Sequence, residues 1–269
     1  MTWEQEFFKL FFNSDPKTRD KGLEILEAHR PKKFCKYMTS GRSLDFIKNK
    51  HLWHSNPNKF QDKFDGRWYH FGDNSQRDSK QEKDIIEYYK KVVHTDPENI
   101  FRSLIKICSF TTNPLDIKMW SDYAGSSRGM CFEFDIENIP PLDFGIDNIH
   151  KKLFPMIYSD EMIDLSEFVL NGNAESWNNS DGNPNFMHYF GVQITLLKSS
   201  QYSFENEWRS LWMNPHYEGP FEWFTPPQNI YLGTRIKPRV KRRVLKMEID
   251  SKIFQITQKN GELIPRLIR

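Results

Sequence analysis

Ile105-Lys106-Ile107-Cys108-Ser109-Phe110, Asn113-Pro114-Leu115-Asp116, Gly125 and Met130-Cys131-Phe132-Glu133-Phe134 follow one another within 30 residues, and their order decides the fold class. The first block is a short apolar, β-branched run and reads as a strand. Asn113 as N-cap, Pro114 at the first helical position and Asp116 in the first turn predict a helix that Gly125 closes. Met130 to Phe134 is the next strand. The same order occurs earlier: beyond Pro31 comes a strand Phe34–Met38, then a helix Leu44–Lys50 and a strand His51–Ser55. Strand, helix, strand occurring twice without strict βαβ alternation indicates an α+β domain.

Outward from this centre, Trp3, Phe7, Leu10 and Phe11 share one helical face, and Leu23, Ile25 and Leu26 give a weaker stripe over 17–29. Asn13-Ser14-Asp15-Pro16 separates the two. The reading is a helical arm over 1–32 and a single α+β domain over 33–269. Within it, 65–79 reads as a long polar and aromatic loop, Glu82 to His94 as a helix, 171–185 as a flexible insert and Phe186 to Leu197 as an apolar helix. Glu207–Met213 and Asn229–Leu232 read as strands, the latter ended by Gly233, and Asn260-Gly261 as the turn of a hairpin within 252–268.

The 269 residues carry 38 bases, 36 acids and 15% aromatics. So ring-rich a chain is folded, and a net charge of +2 places any charged site in a local patch rather than in a global field. Cys35, Cys108 and Cys131 are odd in number, lie in apolar runs and form no CxxC pair, which argues against a disulfide framework or a zinc site and for a reducing cytoplasm. The amino terminus lacks the basic start of a signal peptide, and no run of about 18 apolar residues would span a membrane. A bacterial cytoplasmic protein without a membrane partner is the expectation.

The chain has no phosphate-binding loop of the GxxxxGK(S/T) kind and no GxGxxG. His51 and His54, three apart on a strand, face opposite ways and cannot easily share a metal. Phe60-Gln61-Asp62-Lys63-Phe64-Asp65 is either a functional loop or a turn anchored by its rings. Met119-Trp120-Ser121-Asp122-Tyr123 is either core or, through Trp120 or Tyr123, a platform for a planar ring. In Phe204-Glu205-Asn206-Glu207-Trp208-Arg209 the period of two sets Glu205, Glu207 and Arg209 on one face and Trp208 with Trp212 on the other. Paired carboxylates beside a guanidinium suit the stabilisation of developing positive charge, and equally an exposed ion pair. Arg235 to Lys246 is a concentrated basic stretch, read as a phosphate-binding surface or a solvated face.

Taken in order, Lys36-Tyr37, Trp53-His54-Ser55-Asn56-Pro57, Phe60 to Asp65, Cys108-Ser109-Phe110, Met119 to Ala124, Gly129 and Glu205 to Arg209 resemble the bacterial family catalogued as domain of unknown function 2971, over roughly Phe34 to Ile236. The chain departs from that family's pattern at Gln61, Lys63 and Asp122. Its opening strand, helix and strand and its late glutamate are in turn similar to the ADP-ribosyltransferase superfamily, above all the branch that modifies nucleic acids in toxin–antitoxin and phage-defence systems. The resemblance implies a split mixed β-sheet with flanking helices that holds NAD as substrate and needs no metal. It further implies that Lys36 or Tyr37 contacts the adenosine part and that Ser55 or a neighbouring ring such as Phe64 flanks the nicotinamide. Tyr37, Trp120 or Tyr123 would stack on that ring. Glu207 would stabilise the oxocarbenium-like cation, Glu205 would position or deprotonate the acceptor, and Arg209 would orient the carboxylates or hold a phosphate. RNA or DNA as acceptor and a cognate antitoxin are the implied partners. Two alternatives from other classes are a noncatalytic nucleic-acid-binding or sensor module using Lys241, Arg242 and Arg243, and a metal-dependent nuclease using Asp62, Asp65 and Glu207.

Overall fold

The computed structural model describes residues 1–13, 15–60, 62, 64–70, 105–136, 153–165, 191–213, 219–222 and 226–269. The helix expected over 82–94, the insert expected over 171–185, the part of the 65–79 loop beyond His70 and the start of the 186–197 helix lie outside these residues.

Two helices open the chain, α1 (Trp3–Phe11) and α2 (Pro16–His29). The Thr2 side chain accepts from the Gln5 amide while the Gln5 side chain takes the Thr2 amide, a reciprocal cap; Asp15 caps α2 through Thr18. Strand β1 (Lys33–Met38), helix α3 (Ser40–Asn49) and strand β2 (His51–His54) follow, and then β3 (Tyr69–His70). Next come β4 (Ile105–Thr111), helix α4 (Ile117–Asp122), β5 (Met130–Asp135), β6 (Leu153–Pro155), β7 (Ile157–Ser159), β8 (Ile163–Asp164) and β9 (Leu197–Ser199). The chain closes with β10 (Glu207–Met213), β11 (Gly219–Glu222), β12 (Asn229–Leu232), helix α5 (Pro238–Leu245), β13 (Lys252–Lys259) and β14 (Glu262–Leu267).

Eight strands form one mixed sheet in the order β14-β13-β12-β5-β1-β4-β10-β6, and three two-stranded pairs accompany it. The neighbours β12 and β13 are parallel, the other pairs of the large sheet antiparallel. A parallel pair needs a crossover, and α5 supplies it. The α+β class with a mixed sheet thus agrees with the sequence reading.

Alternation along the strands divides the sheet into two unlike faces. One carries Phe34, Phe110, Phe132, Phe134 and Trp208, covered by Phe7 and Phe8 of α1, Leu26 of α2, Phe46 of α3 and Val244 of α5. Trp208 meets Phe34 edge-on at 5.2 Å, and Phe46 meets Phe132 at 4.9 Å. Each ring removed from water stabilises the fold by about 1.5–3 kcal/mol. The amino-terminal helices are therefore part of the main core. The other face carries Cys35, Tyr37, Cys131 and Tyr231 under Met119 and Trp120 of α4. Register aligns Asn229, Glu133, Cys35, Thr111 and Glu207 straight across five strands of this second face.

The helix expected from Pro114 begins instead at Ile117. Asp116 is its N-cap, accepting from the Met119 amide at 2.7 Å, whereas the Asn113 side chain accepts from the Leu115 amide two residues on and makes a turn. Glu205 differs as well: it ends a 3-10 turn, Ser200–Glu205, and Asn206 with φ 42° separates it from β10.

Gly129 marks a close approach, since a Cβ there would lie 2.0 Å from the Met38 carbonyl oxygen, whereas a Cβ on Gly41 meets nothing within 4 Å. Urea denaturation should show Gly129→Ala destabilising by about 1–3 kcal/mol, because a strand carbonyl cannot step aside. Gly41→Ala, within α3, should stabilise by about 0.4–1 kcal/mol.

Candidate active site

The period of two along β10 turns Trp208 into the aromatic core and Glu207 and Arg209 to the opposite face. That face is not exposed at this end. Arg209 is 0% accessible, and all five of its N–H donors are engaged. Nη1 and Nη2 grip Asp65 Oδ1 and Oδ2 at 2.8 and 2.6 Å; Nε and Nη2 reach Glu207 Oε1 and Oε2 at 2.8 and 3.2 Å; Nη1 also donates to the Thr195 carbonyl at 2.6 Å. The Phe60 ring lies 5.8 Å from the guanidinium carbon. A planar fork with five donors is the one side chain able to serve two carboxylates and a carbonyl together.

Asp65 arrives from a tight turn. The Phe64 amide donates to Asp62 Oδ1 at 2.9 Å, the Asp65 amide to the Asp62 carbonyl at 3.3 Å, and Gly66 takes φ 69°. From β9 comes a second cation, Lys198, whose Nζ lies 2.5 Å from Glu205 Oε2, 2.9 Å from Glu207 Oε2 and 3.8 Å from Asp65 Oδ2, with the Tyr202 ring at 4.8 Å. Three buried carboxylates thus face two buried cations, leaving one negative charge over. Tyr158 Oη accepts from the Glu207 amide at 2.9 Å, and Tyr123 Oη donates to Glu205 Oε1 at 2.5 Å.

The two glutamates are electrostatically unequal. Burial alone would raise the Glu207 carboxyl, but Arg209 and then Lys198 hold it well below the ordinary carboxylate range. Glu205 is pushed above that range, first by burial and then by the charge of Glu207, against the pull of Lys198. Burial would lower Lys198 too, yet Glu207, with Asp65 and Glu205, keeps it protonated. Burial and the neighbouring Glu205 raise the Tyr123 hydroxyl. Glu207 is a fixed anion committed through both oxygens. Glu205 is the carboxylate able to exchange a proton, and its partner Tyr123 is 44% exposed.

Of the residues singled out from the sequence, Glu205, Glu207, Arg209 and Tyr123 come together, and Phe64 projects into solvent one residue before Asp65. Others do not join the cluster. Lys36 lies on the opposite face, where its Nζ donates to the Ser109 carbonyl at 2.5 Å and sits 5.5 Å from the Phe110 ring. Tyr37 faces the site side of the sheet, but it is buried against Trp120 with its hydroxyl donating to the Asn113 carbonyl at 2.9 Å. Trp120 is 1% accessible and its indole N–H donates to the Pro114 carbonyl, so it is core and not a platform open to a ligand. Ser55 exchanges backbone hydrogen bonds with Ile107. His51 is exposed and His54 buried, as alternation requires; burial and then the charge of Lys36 bring His54 down to about 3, so it is neutral near pH 7. Sequence reasoning missed Lys198, Thr195 and Tyr158. Among the described residues no helix is long and apolar enough to cross a membrane, and no group of three or more His, Cys, Asp or Glu is arranged to hold a metal ion.

The chain is similar over residues 119–210 to a family described as a protein of unknown function, DUF2971. That segment runs from Met119 of α4 to Ser210 of β10 and contains Tyr123, Lys198, Glu205, Glu207 and Arg209; Asp65 precedes it. No curated protein and no solved structure matches the chain.

Removing one partner from a buried charge network strands the others. Arg209→Met should therefore cost about 3–5 kcal/mol in urea denaturation at pH 7. The glutamates should respond to pH with opposite signs. A lowered carboxyl adds stability that is full above the ordinary carboxylate value and lost as pH falls toward its folded value. A raised one adds stability that is full below the ordinary value and lost as pH rises through its folded value. Midpoints measured from pH 2 to 8 should show Glu207→Gln losing on the wild type as pH rises toward the ordinary carboxylate value, and Glu205→Gln gaining on it as pH rises above that value.

Proposed function

We propose that this protein is an NAD-consuming enzyme of the ADP-ribosyltransferase class, with the reaction centred on Glu205 and Tyr123. The observation that carries the reading is a raised carboxylate, hydrogen-bonded to a half-exposed tyrosine, in front of a buried and fully paired Asp65–Arg209–Glu207–Lys198 network. Desolvated charge of this kind contributes little net stability and is a common mark of sites that act on developing charge.

The chemistry fits NAD for two reasons. The nicotinamide of NAD is a planar cation, and the aromatic rings of Tyr123, Tyr202 and Phe60 lie against Glu205, Lys198 and Arg209 of the cluster. Breaking the bond between ribose and nicotinamide sends the electron pair to the departing ring, which leaves neutral, and puts positive charge on the ribose. The surplus negative charge of the cluster interacts more strongly with that cation than with the ground state. The incoming nucleophile bonds to the anomeric carbon and loses its proton to Glu205, which its raised affinity for a proton suits. Glu207 acts from behind, keeping Lys198 and Arg209 in place. A macromolecule accepts the ADP-ribose. A metal-dependent nuclease is the less favoured reading, because both Asp65 oxygens and both Glu207 oxygens are already bound to Arg209 or Lys198.

Release of labelled nicotinamide from NAD by the purified chain tests this. Glu205→Gln should lower kcat about 100-fold or more with little change in KM, and Tyr123→Phe should lower it about tenfold. A chelator should have no effect. No nicotinamide release by the wild type, or full activity in Glu205→Gln, overturns the reading.

A further inference from the structure

Helix α5 carries a second charged feature, far from the carboxylate cluster along the sheet. Seven bases and no acid stand between Arg235 and Lys246 in a chain of net +2, so the rest of the molecule sums to −5. Val244 is buried in the main core and Val240 packs against it, which turns the charged side of α5 outward. Arg239, Arg242, Arg243 and Lys246, with Met247, line a groove of about 480 Å³. Among the described residues none of these four cations forms a side-chain hydrogen bond or an ion pair, in contrast with Arg209 and Lys198. Spacing of three, four and seven residues sets them in one stripe about 10 Å long.

The helix that carries the stripe is anchored. Arg269 donates to the carbonyls of Leu245, Met247 and Ile249 and caps the carboxyl end of α5. Lys241 ties the helix to β13 by donating to Gln255 Oε1 at 2.9 Å. An anchored helix backbone fixes the spacing of the four cations before any anion arrives.

We infer that this face of α5 docks duplex DNA along its phosphate backbone. Three of the four groove cations are arginines, whose planar fork suits phosphate oxygens. A membrane surface fits poorly, since the apolar stripe of the helix is spent on the core and cannot enter lipid. A single strand fits poorly as well, because no aromatic side chain lines the groove for bases to stack on. Duplex RNA would be read through its 2′-hydroxyls, and the lining holds no hydroxyl or amide side chain. The contact is independent of the proposed NAD chemistry.

Fluorescence anisotropy with a labelled 20-base-pair DNA duplex and no NAD present tests it. Affinity should fall with salt, with a slope near −3.6 on logarithmic axes for four phosphate contacts, about −0.9 per contact. Arg242→Glu with Arg243→Glu should weaken binding tenfold or more at 50 mM salt and flatten the slope. Lys17→Glu with Lys21→Glu, an equal charge change on α2, should have little effect. The inference is overturned if the duplex does not bind, if both double variants lose affinity alike, or if a single strand, duplex RNA, anionic vesicles or polyglutamate bind as tightly as the DNA. Nicotinamide release is measured separately, so failure of one proposal leaves the other standing.

Discussion

A single guanidinium joins three parts of the chain that sequence keeps far apart. Arg209 sits on β10, Asp65 on the turn after β2, and Thr195 ahead of β9, and the five donors of Arg209 reach both of the latter as well as Glu207. With the arginine closed to solvent, every donor must find an acceptor, and every acceptor it serves is fixed in direction. The Asp65 turn, the segment before β9 and the start of β10 are therefore held in one arrangement. The aromatic face behind them, with Trp208 against Phe34, supplies the hydrophobic stabilisation that offsets the desolvation.

From this clamp follows the difference between two glutamates only two residues apart. Glu207, the first residue of the strand, lies beside Arg209 and gives it both oxygens. Glu205 is lifted out of the strand by the left-handed Asn206 and meets Lys198 on one oxygen and Tyr123 on the other. A regular strand through both positions would have presented two similar carboxylates. The turn instead makes one a permanent anion and the other a group that exchanges protons, which is how a paired-carboxylate site divides its labour.

Much of the frame was legible in the sequence because local chemistry is decisive there. Asn260 and Gly261 both adopt positive φ, and the hairpin follows; the alternation of Glu207, Trp208 and Arg209 gave the two faces of β10 directly. Where two signals competed, the outcome depended on tertiary partners. Asn113 and Asp116 are both good caps, but Asn113 is used in a turn whose carbonyl also receives the Tyr37 hydroxyl, leaving the helix to start at Asp116. Lys36 and Tyr37 are adjacent in a strand, so no more than one of them could face the carboxylates. Lys198 was invisible for a different reason: its partners come from the turn after β2, the 3-10 turn before β10 and β10 itself, and its signal was a single cation closing the buried segment Ile194 to Leu197, where burial requires a counter-charge.

Glu205 and Glu207, so close in sequence, hold their protons with very different strength because of what Arg209 and Lys198 do to each. Carbon-13 NMR of the side-chain carboxyls across a pH titration reads this directly. The Glu205 carboxyl should titrate above the ordinary glutamate value, while the Glu207 carboxyl stays ionised through that whole range. Two carboxyls titrating together near the ordinary value would contradict it.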